Sequence, residues 1–302
     1  MFPKFTLSLL LFLIIFSVSG QHDNMLHKKL ESLIQPFHGN VSLFVKNLRT
    51  GKTVSINADS IRPTASLVKL PILIGIMDKI NRNQLTYHQE IVYHDSLLYP
   101  GVDILGSFKN GEKIELSKMI MLMMTMSDNT ASRYLQMLAG TGTYINALLD
   151  SMGYSVTRVN SKTEGREQAW EKFGWGQTTA KEMVTLVESI YSEKVISKPA
   201  STRMLRIINR NYWDAEAVSQ VPPYATVFSK SGALDEYRSE VVLVRGVSST
   251  YVFCIITNNN RDKSWTYNNE AWTLIRKVSS LLWNYYEPKN QWKLPTGSEK
   301  FY

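Results

Sequence analysis

The chain holds a single cysteine, Cys254, among its 302 residues, so no internal disulfide can form and an oxidising compartment would add no covalent staple. Cys254 lies in an apolar run and reads as a small buried hydrophobe. The five histidines, His22, His27, His38, His88 and His94, fall in no zinc-binding spacing, and there is no G-x-S-x-G elbow. Neither a zinc hydrolase nor a Ser-His-Asp pattern is therefore supported, and no metal or cofactor is expected. Beyond the N-terminal run, no apolar segment has the ~20 residues that a membrane-spanning helix needs. Acidic residues are the minority, 26 against 34 basic ones, for a formal charge of +8. The basic residues are scattered rather than gathered with aromatic ones, so nucleic acid is not an expected partner. An anionic substrate or an anionic cell envelope suits the charge better.

What is present is the composition of a globular protein, 44% apolar and 20% charged. Lys4, an apolar run from Leu7 to Phe16 and the small residues Val18-Ser19-Gly20 read as a secretory leader over residues 1–20. The alternative is an uncleaved N-terminal anchor, for which the run is short. No cysteine stands at the junction, so lipidation is not expected. The reading is an exported protein, periplasmic or secreted, with a charge of +7 once Lys4 has left (8 minus 1).

The remaining residues, 21–302, read as one catalytic body of two lobes. Val41–Val45 and Thr53–Asn57, separated by Asn47-Leu-Arg-Thr-Gly-Lys52, form a hairpin pattern. Helical periodicity fills the middle, over Ser117–Met126, Asn129–Leu138, Thr143–Met152 and Thr178–Tyr191, and strand signals return over Thr226–Ser229, Glu240–Arg245 and Tyr251–Thr257. An amphipathic helix over Glu270–Tyr286 closes the chain. The expected fold is α/β, an α+β sandwich. An antiparallel sheet of about five strands is built from both termini (21–65 and 212–302), is flanked by helices, and carries an inserted all-helical lobe over roughly 66–211. A cleft between the lobes is the natural site.

Three short patterns carry candidate chemistry. In Thr64-Ala-Ser66-Leu-Val-Lys69, the serine and lysine share one face of a helix start. A nearby lysine of lowered pKa can take the proton of a serine hydroxyl, which is otherwise a poor nucleophile. Backbone N–H groups at the helix start can meet a developing oxyanion. By itself this pattern arises by chance about once in a chain of this composition, and it also fits a solvated lysine near a cap. Ser127-Asp128-Asn129 breaks two helical patterns and offers a hydroxyl and an amide, or merely an N-cap. Ser229-Lys230-Ser231-Gly232-Ala233 lies in a strand whose glycine allows close backbone approach, or else Lys230 only protects a sheet edge.

In this order the three resemble the S-x-x-K, S-D-N and K-T-G set of the penicillin-recognising serine enzymes, especially class A β-lactamases. The resemblance runs from about residue 40 to 285. It implies a serine β-lactamase in which Ser66 attacks the β-lactam carbonyl, Lys69 and Glu164 manage its proton, and Ser127 passes a proton to the leaving nitrogen. Glu164, with Glu167 and Glu171 as rivals, would activate the water that releases the acyl group, and Gln168 would share that water. Asn129 would hold the side-chain amide of the substrate, Lys230 and Ser231 its carboxylate, and the N–H groups of Ser66 and Ala233 the oxyanion. Tyr99 would wall the cleft or be an ordinary loop aromatic, and Asp128 would be structural. A D-alanyl-D-alanine peptidase or esterase of the same fold, acting on peptidoglycan-like peptides, and an impaired cell-wall binding protein are the competing readings.

Departures from the family pattern gather around Glu164. Arg133 stands where an asparagine often anchors the omega loop, and Lys162 and Gln177 stand where a salt bridge often closes it. Trp170, Phe173 and Trp175 are the expected substitutes, by apolar packing. The arginine that helps bind substrate carboxylate is hard to place, with Arg238 the nearest candidate.

Overall fold

The computed structural model describes residues 21–302 apart from residue 102. The expected leader lies outside the described residues. The chain runs as α1 (Asn24–Ile34), β1 (Asn40–Asn47), β2 (Thr53–Ile56), β3 (Arg62–Pro63), a 3-10 turn (Ala65–Val68) and α2 (Lys69–Asn81). Then come β4 (Glu90–Val92), β5 (Lys113–Glu115), α3 (Leu116–Met121), a π turn (Leu122–Met126), α4 (Asn129–Leu138) and α5 (Thr141–Ser151). After β6 (Arg158–Val159), α6 (Glu167–Phe173), β7 (Gly176–Thr178), α7 (Ala180–Tyr191) and α8 (Lys198–Ile208), the chain returns as β8 (Thr226–Leu234), β9 (Tyr237–Arg245), β10 (Thr250–Asn258) and α9 (Glu270–Tyr286).

The main sheet has the order β2-β1-β10-β9-β8, so strands from both ends of the chain interleave as expected. Every described neighbour pair is antiparallel, with Phe44 opposite Cys254 and Lys230 opposite Val241. Both faces are covered, which is why β10 reads as an unbroken apolar run. Along it Tyr251, Phe253 and Ile255 pack with α1 and α9 through Leu26, Leu30, Leu282 and Trp283, while Val252, Cys254 and Ile256 face the helical side. Cys254 is fully buried, as its setting suggested.

α7 covers that second face, and in the same core lies α2, buried from Lys69 to Asp78. Its sequence is apolar all round because α4, α5, α8 and the site surround it. Gly75 lets α5 close in, since a Cβ there would lie 2.9 Å from Ile145. Pro71 falls within the first turn, where a missing N–H breaks no helical bond. The helix thereby fixes Lys69 at its first position, between the lobes. Among the described residues, no helix is long and apolar enough to cross a membrane.

Candidate active site

Ser66 sits in the 3-10 turn just ahead of α2 rather than in the helix itself, and the preceding Ala65 holds a left-handed φ of 44°. That strained entry turns the chain sharply, as is common where a reactive side chain must be presented. Lys69, three residues on, reaches back, with its Nζ 3.1 Å from Ser66 Oγ. The same Nζ lies 2.8 Å from Asn129 Oδ1, 3.0 Å from Ser127 Oγ and within hydrogen-bond reach of the Ser127 carbonyl.

Two of these four partners, the Asn129 amide oxygen and the Ser127 carbonyl, can only accept; the two hydroxyls can donate. Nζ donates to both obligate acceptors in either protonation state, and a neutral amine keeps its lone pair free to take the Ser66 hydroxyl proton. Burial pushes the Lys69 pKa well below its ordinary value, and the charge of Lys230 adds to the shift. Asp103 and Asp128 are the carboxylates that oppose it. Lys69 is therefore poised as a base.

Ser127 closes the π turn with a left-handed φ of 59°. A π turn ending in a strained residue often marks a functional position. Its Oγ lies 3.0 Å from both Lys69 Nζ and Lys230 Nζ, and so bridges the two lysines. Lys230 is fully buried on β8, and burial pulls its pKa down to about 7 against the opposing pull of Glu240. Gly232 is required by contact: a Cβ there would lie 3.0 Å from Ser66 N and 2.8 Å from Ser239 Oγ. Ser231 and Ala233 flank it, half-buried, on this edge strand.

Asp128 is structural, as expected. Its Oδ1 accepts from Ala131 N at 2.7 Å, capping α4, and its Oδ2 accepts from Leu105 N at 2.9 Å. Asp103, which the sequence reading missed, adds a second cap by accepting from Asn129 N and Thr130 N. The cues are Asp spacing from a helix start and nothing more, and a partner 26 residues away cannot be read from a local pattern.

The omega loop departs further from expectation. Glu164 is solvent-exposed and takes part in no described hydrogen bond or ion pair, so the structure does not bring it to the Ser66–Lys69 cluster. Gln168, Glu167 and Glu171 are exposed as well. The loop is nonetheless firmly fastened. Gln136 of α4 donates to Ser161 O and accepts from Ser161 Oγ. Arg166 spans the loop, donating to Asn160 Oδ1 at 2.7 Å and to Gln177 Oε1 at 2.8 Å. A Gln177–Arg166 link thus does the work that Lys162 and Gln177 had been expected to leave undone.

Arg133 also anchors this region, by its flat face. Its guanidinium lies 4.8 Å from the Tyr99 ring and 5.9 Å from that of Trp175, and it donates to Leu98 O. Tyr99 and Trp175 themselves meet edge-on at 5.3 Å. Trp175 therefore packs as expected, whereas Trp170 is 53% exposed and does not.

Arg238 is a correction. Its guanidinium is enclosed between Trp265 and Trp272, at 4.4 and 4.5 Å, and donates to the carbonyls of Leu234, Tyr237 and Ser264. It closes the β8–β9 turn and is unavailable to a substrate. Opposite Ser231 stands instead Glu240, whose carboxyl is pushed up to about 8 by burial. A further missed feature is the Asn211–Trp213 segment. Tyr212 N donates to Thr125 O, Trp213 Nε1 to Met126 O and Asn211 Nδ2 to Ser229 Oγ. This clamps the approaches to both Ser127 and Lys230, with Trp213 still 49% exposed.

The sequence profile of the Beta-lactamase enzyme family matches residues 25–286. This chain belongs to the β-lactamase enzyme family. It is a divergent member, 22% identical over 290 residues to β-lactamase VEB-1 of Pseudomonas aeruginosa, an alignment covering 92% of this chain and 95% of that one. Its fold is shared with a mutant of PBP-A solved as an acyl-enzyme complex with penicillin G, at a TM-score of 0.79 and 21% identity, covering 89% of this chain and 98% of the other. It is shared also with a class A β-lactamase from Mycobacterium abscessus, at a TM-score of 0.75 and 19% identity, covering 86% and 99%.

Proposed function

We propose that this β-lactamase family member hydrolyses β-lactam amides through an acyl-enzyme on Ser66. The observation that carries the reading is Lys69, buried with its pKa lowered and its Nζ 3.1 Å from Ser66 Oγ. Lys69 takes the Ser66 proton as Oγ bonds to the lactam carbonyl carbon. The resulting oxyanion is met by the N–H groups of Ser66 and Ala233. The C–N bond then breaks as Ser127 gives its proton to the nitrogen, and Ser127 is resupplied by Lys69, 3.0 Å away. Protonated Lys230 and the hydroxyl of Ser231 receive the substrate carboxylate, and Asn129 its side-chain amide, with Tyr99 at the cleft mouth.

Release of the acyl group needs an activated water. Glu164, aided by Gln168, is the assignment that the family resemblance supports, although its carboxylate faces solvent in the free protein. Its exposure favours a second reading, in which the acyl-enzyme forms quickly and persists, as in a D-alanyl-D-alanine peptidase or penicillin-binding protein acting on peptidoglycan-like peptides. The leader pattern read over residues 1–20 supports export to the periplasm or medium, with residues 21–302 as the working unit and no stable membrane insertion.

A steady-state assay with a chromogenic cephalosporin, comparing wild type with Glu164→Ala, tests the proposal. Turnover by wild type and a trapped adduct in the variant support it. Equal turnover in both removes Glu164 from the mechanism, and a persistent adduct in both selects the second reading.

A further inference from the structure

The strongest unassigned feature lies on the helical lobe, away from Ser66. A cavity of about 160 Å³ opens between α3 and α8, lined by Tyr87, Lys118 and Met121 on one side and by Arg203, Arg206 and Arg210 on the other. Arg203 and Arg206, three residues apart, share one face of the last turns of α8, and Arg210 follows two residues beyond the helix end at Ile208. All three are exposed, and so is Lys118. Among the described residues, no ion pair involves any of the four.

The neighbouring carboxylates are otherwise engaged. Glu90 is held by Lys113 at 2.9 Å, and Glu115 by His88 at 2.8 Å and by Ser117, with Lys118 acting on Glu115 only through space. The α8 C-terminus favours a cation in its last turn, which accounts for one of the arginines and not for three. Like charges gathered round a concavity repel one another and raise the local concentration of anions. Arg203 is also pre-positioned, its guanidinium 4.8 Å from the Tyr87 ring, so less freedom is lost when it grips a ligand.

We propose that this groove binds a phosphate-bearing ligand. A guanidinium presents paired N–H donors that match two oxygens of a phosphate, and three of them with an ammonium surround a tetrahedral phosphate better than a planar carboxylate. The ligand is a phosphate ester, either a soluble one or the headgroup of an anionic lipid.

The test uses the full mature chain and the triple variant Arg203→Gln, Arg206→Gln, Arg210→Gln, with its fold checked by circular dichroism. Melting is followed in inorganic phosphate and in sodium chloride of equal ionic strength. Phosphate at ten times its Kd is expected to raise the wild-type Tm by about 3 °C over chloride, and the variant is expected to lose that difference. Co-sedimentation with phosphatidylglycerol vesicles, against phosphatidylcholine controls, separates the sources. Vesicle binding that depends on the arginines identifies a lipid headgroup, and a phosphate shift without it identifies a soluble ester. Absence of any phosphate-specific shift together with absence of arginine-dependent vesicle binding overturns the proposal, as does equal behaviour of wild type and variant. If the variant is misfolded, Arg206→Gln alone is compared, and the same outcomes apply.

Discussion

Replacing Asp128 with alanine removes two hydrogen bonds that tie the S-D-N turn to its surroundings. The bond to Ala131 N caps α4, and losing a carboxylate cap costs about 1 kcal/mol. The bond to Leu105 N crosses to a different loop. Leu105 and Asp128 are both buried, so this N–H is left without a partner, at about 1–3 kcal/mol. The sum is roughly 3 kcal/mol, or a fall in Tm on the order of 6–12 °C. Asparagine separates the two contributions. Its single oxygen can serve Ala131 N or Leu105 N but not both, and its NH2 group opposes the N–H that is left, so Asp128→Asn should retain part of the stability and still fall short of wild type. Urea unfolding of the three proteins at one pH measures this. A loss below about 1 kcal/mol for alanine, or asparagine equal to wild type, would refute the account of Asp128 as a double acceptor.

Other substitutions probe the remaining parts of the site. Gly232→Ala would push a Cβ to 3.0 Å from Ser66 N, so acylation should slow by at least tenfold alongside a loss of about 1–3 kcal/mol in stability, as stopped-flow kinetics and urea unfolding would show; an unchanged rate would contradict the tight contact. Glu240 keeps its proton up to about pH 8 in the folded chain, whereas an unfolded glutamic acid releases it near 4.5. The stability this group contributes is complete below about 4.5, declines as pH rises and is gone above about 8. Glu240→Gln should therefore gain on wild type by a few kcal/mol between pH 5 and pH 9, and parallel urea profiles would exclude the assignment. Lys230, at about 7, is charged below that pH and neutral above it. The kcat/KM for a carboxylate-bearing substrate should accordingly decline above about pH 7, and a flat profile to pH 9 would speak against Lys230 as the carboxylate's partner.

Most of the sheet was legible because period-2 alternation and β-branched runs are local signals, and Asn129–Leu138 and Glu270–Tyr286 were read with the bounds of α4 and α9. β8 runs to Leu234, one residue past the strand run read through Ala233, and β9 begins at Tyr237, ahead of the run read from Glu240, since Arg238 and Ser239 carry little strand propensity and are held there by pairing. Ser66, Lys69, Ser127, Asn129 and Lys230 were legible as a set and converge within hydrogen-bond reach. What escaped reading depends on distant partners. Asp103 caps a helix 26 residues on, Arg166 meets Gln177 across a loop, and Arg238 finds its two tryptophans only after the chain has folded. Its place as the nearest arginine after Gly232 made Arg238 the candidate for the substrate carboxylate, and its burial shows otherwise.

The central claim is that Ser66, activated by Lys69, is acylated by a β-lactam. Intact mass of the mature chain, followed from seconds to hours after adding benzylpenicillin, tests it most directly, with peptide mapping to locate the adduct. Wild type should gain the mass of one intact ring-opened penicillin on Ser66, whether it is then lost quickly or slowly, and Ser66→Ala should gain none. An adduct or turnover retained in Ser66→Ala would contradict the account, as would a wild-type chain that neither gains the mass nor consumes the drug.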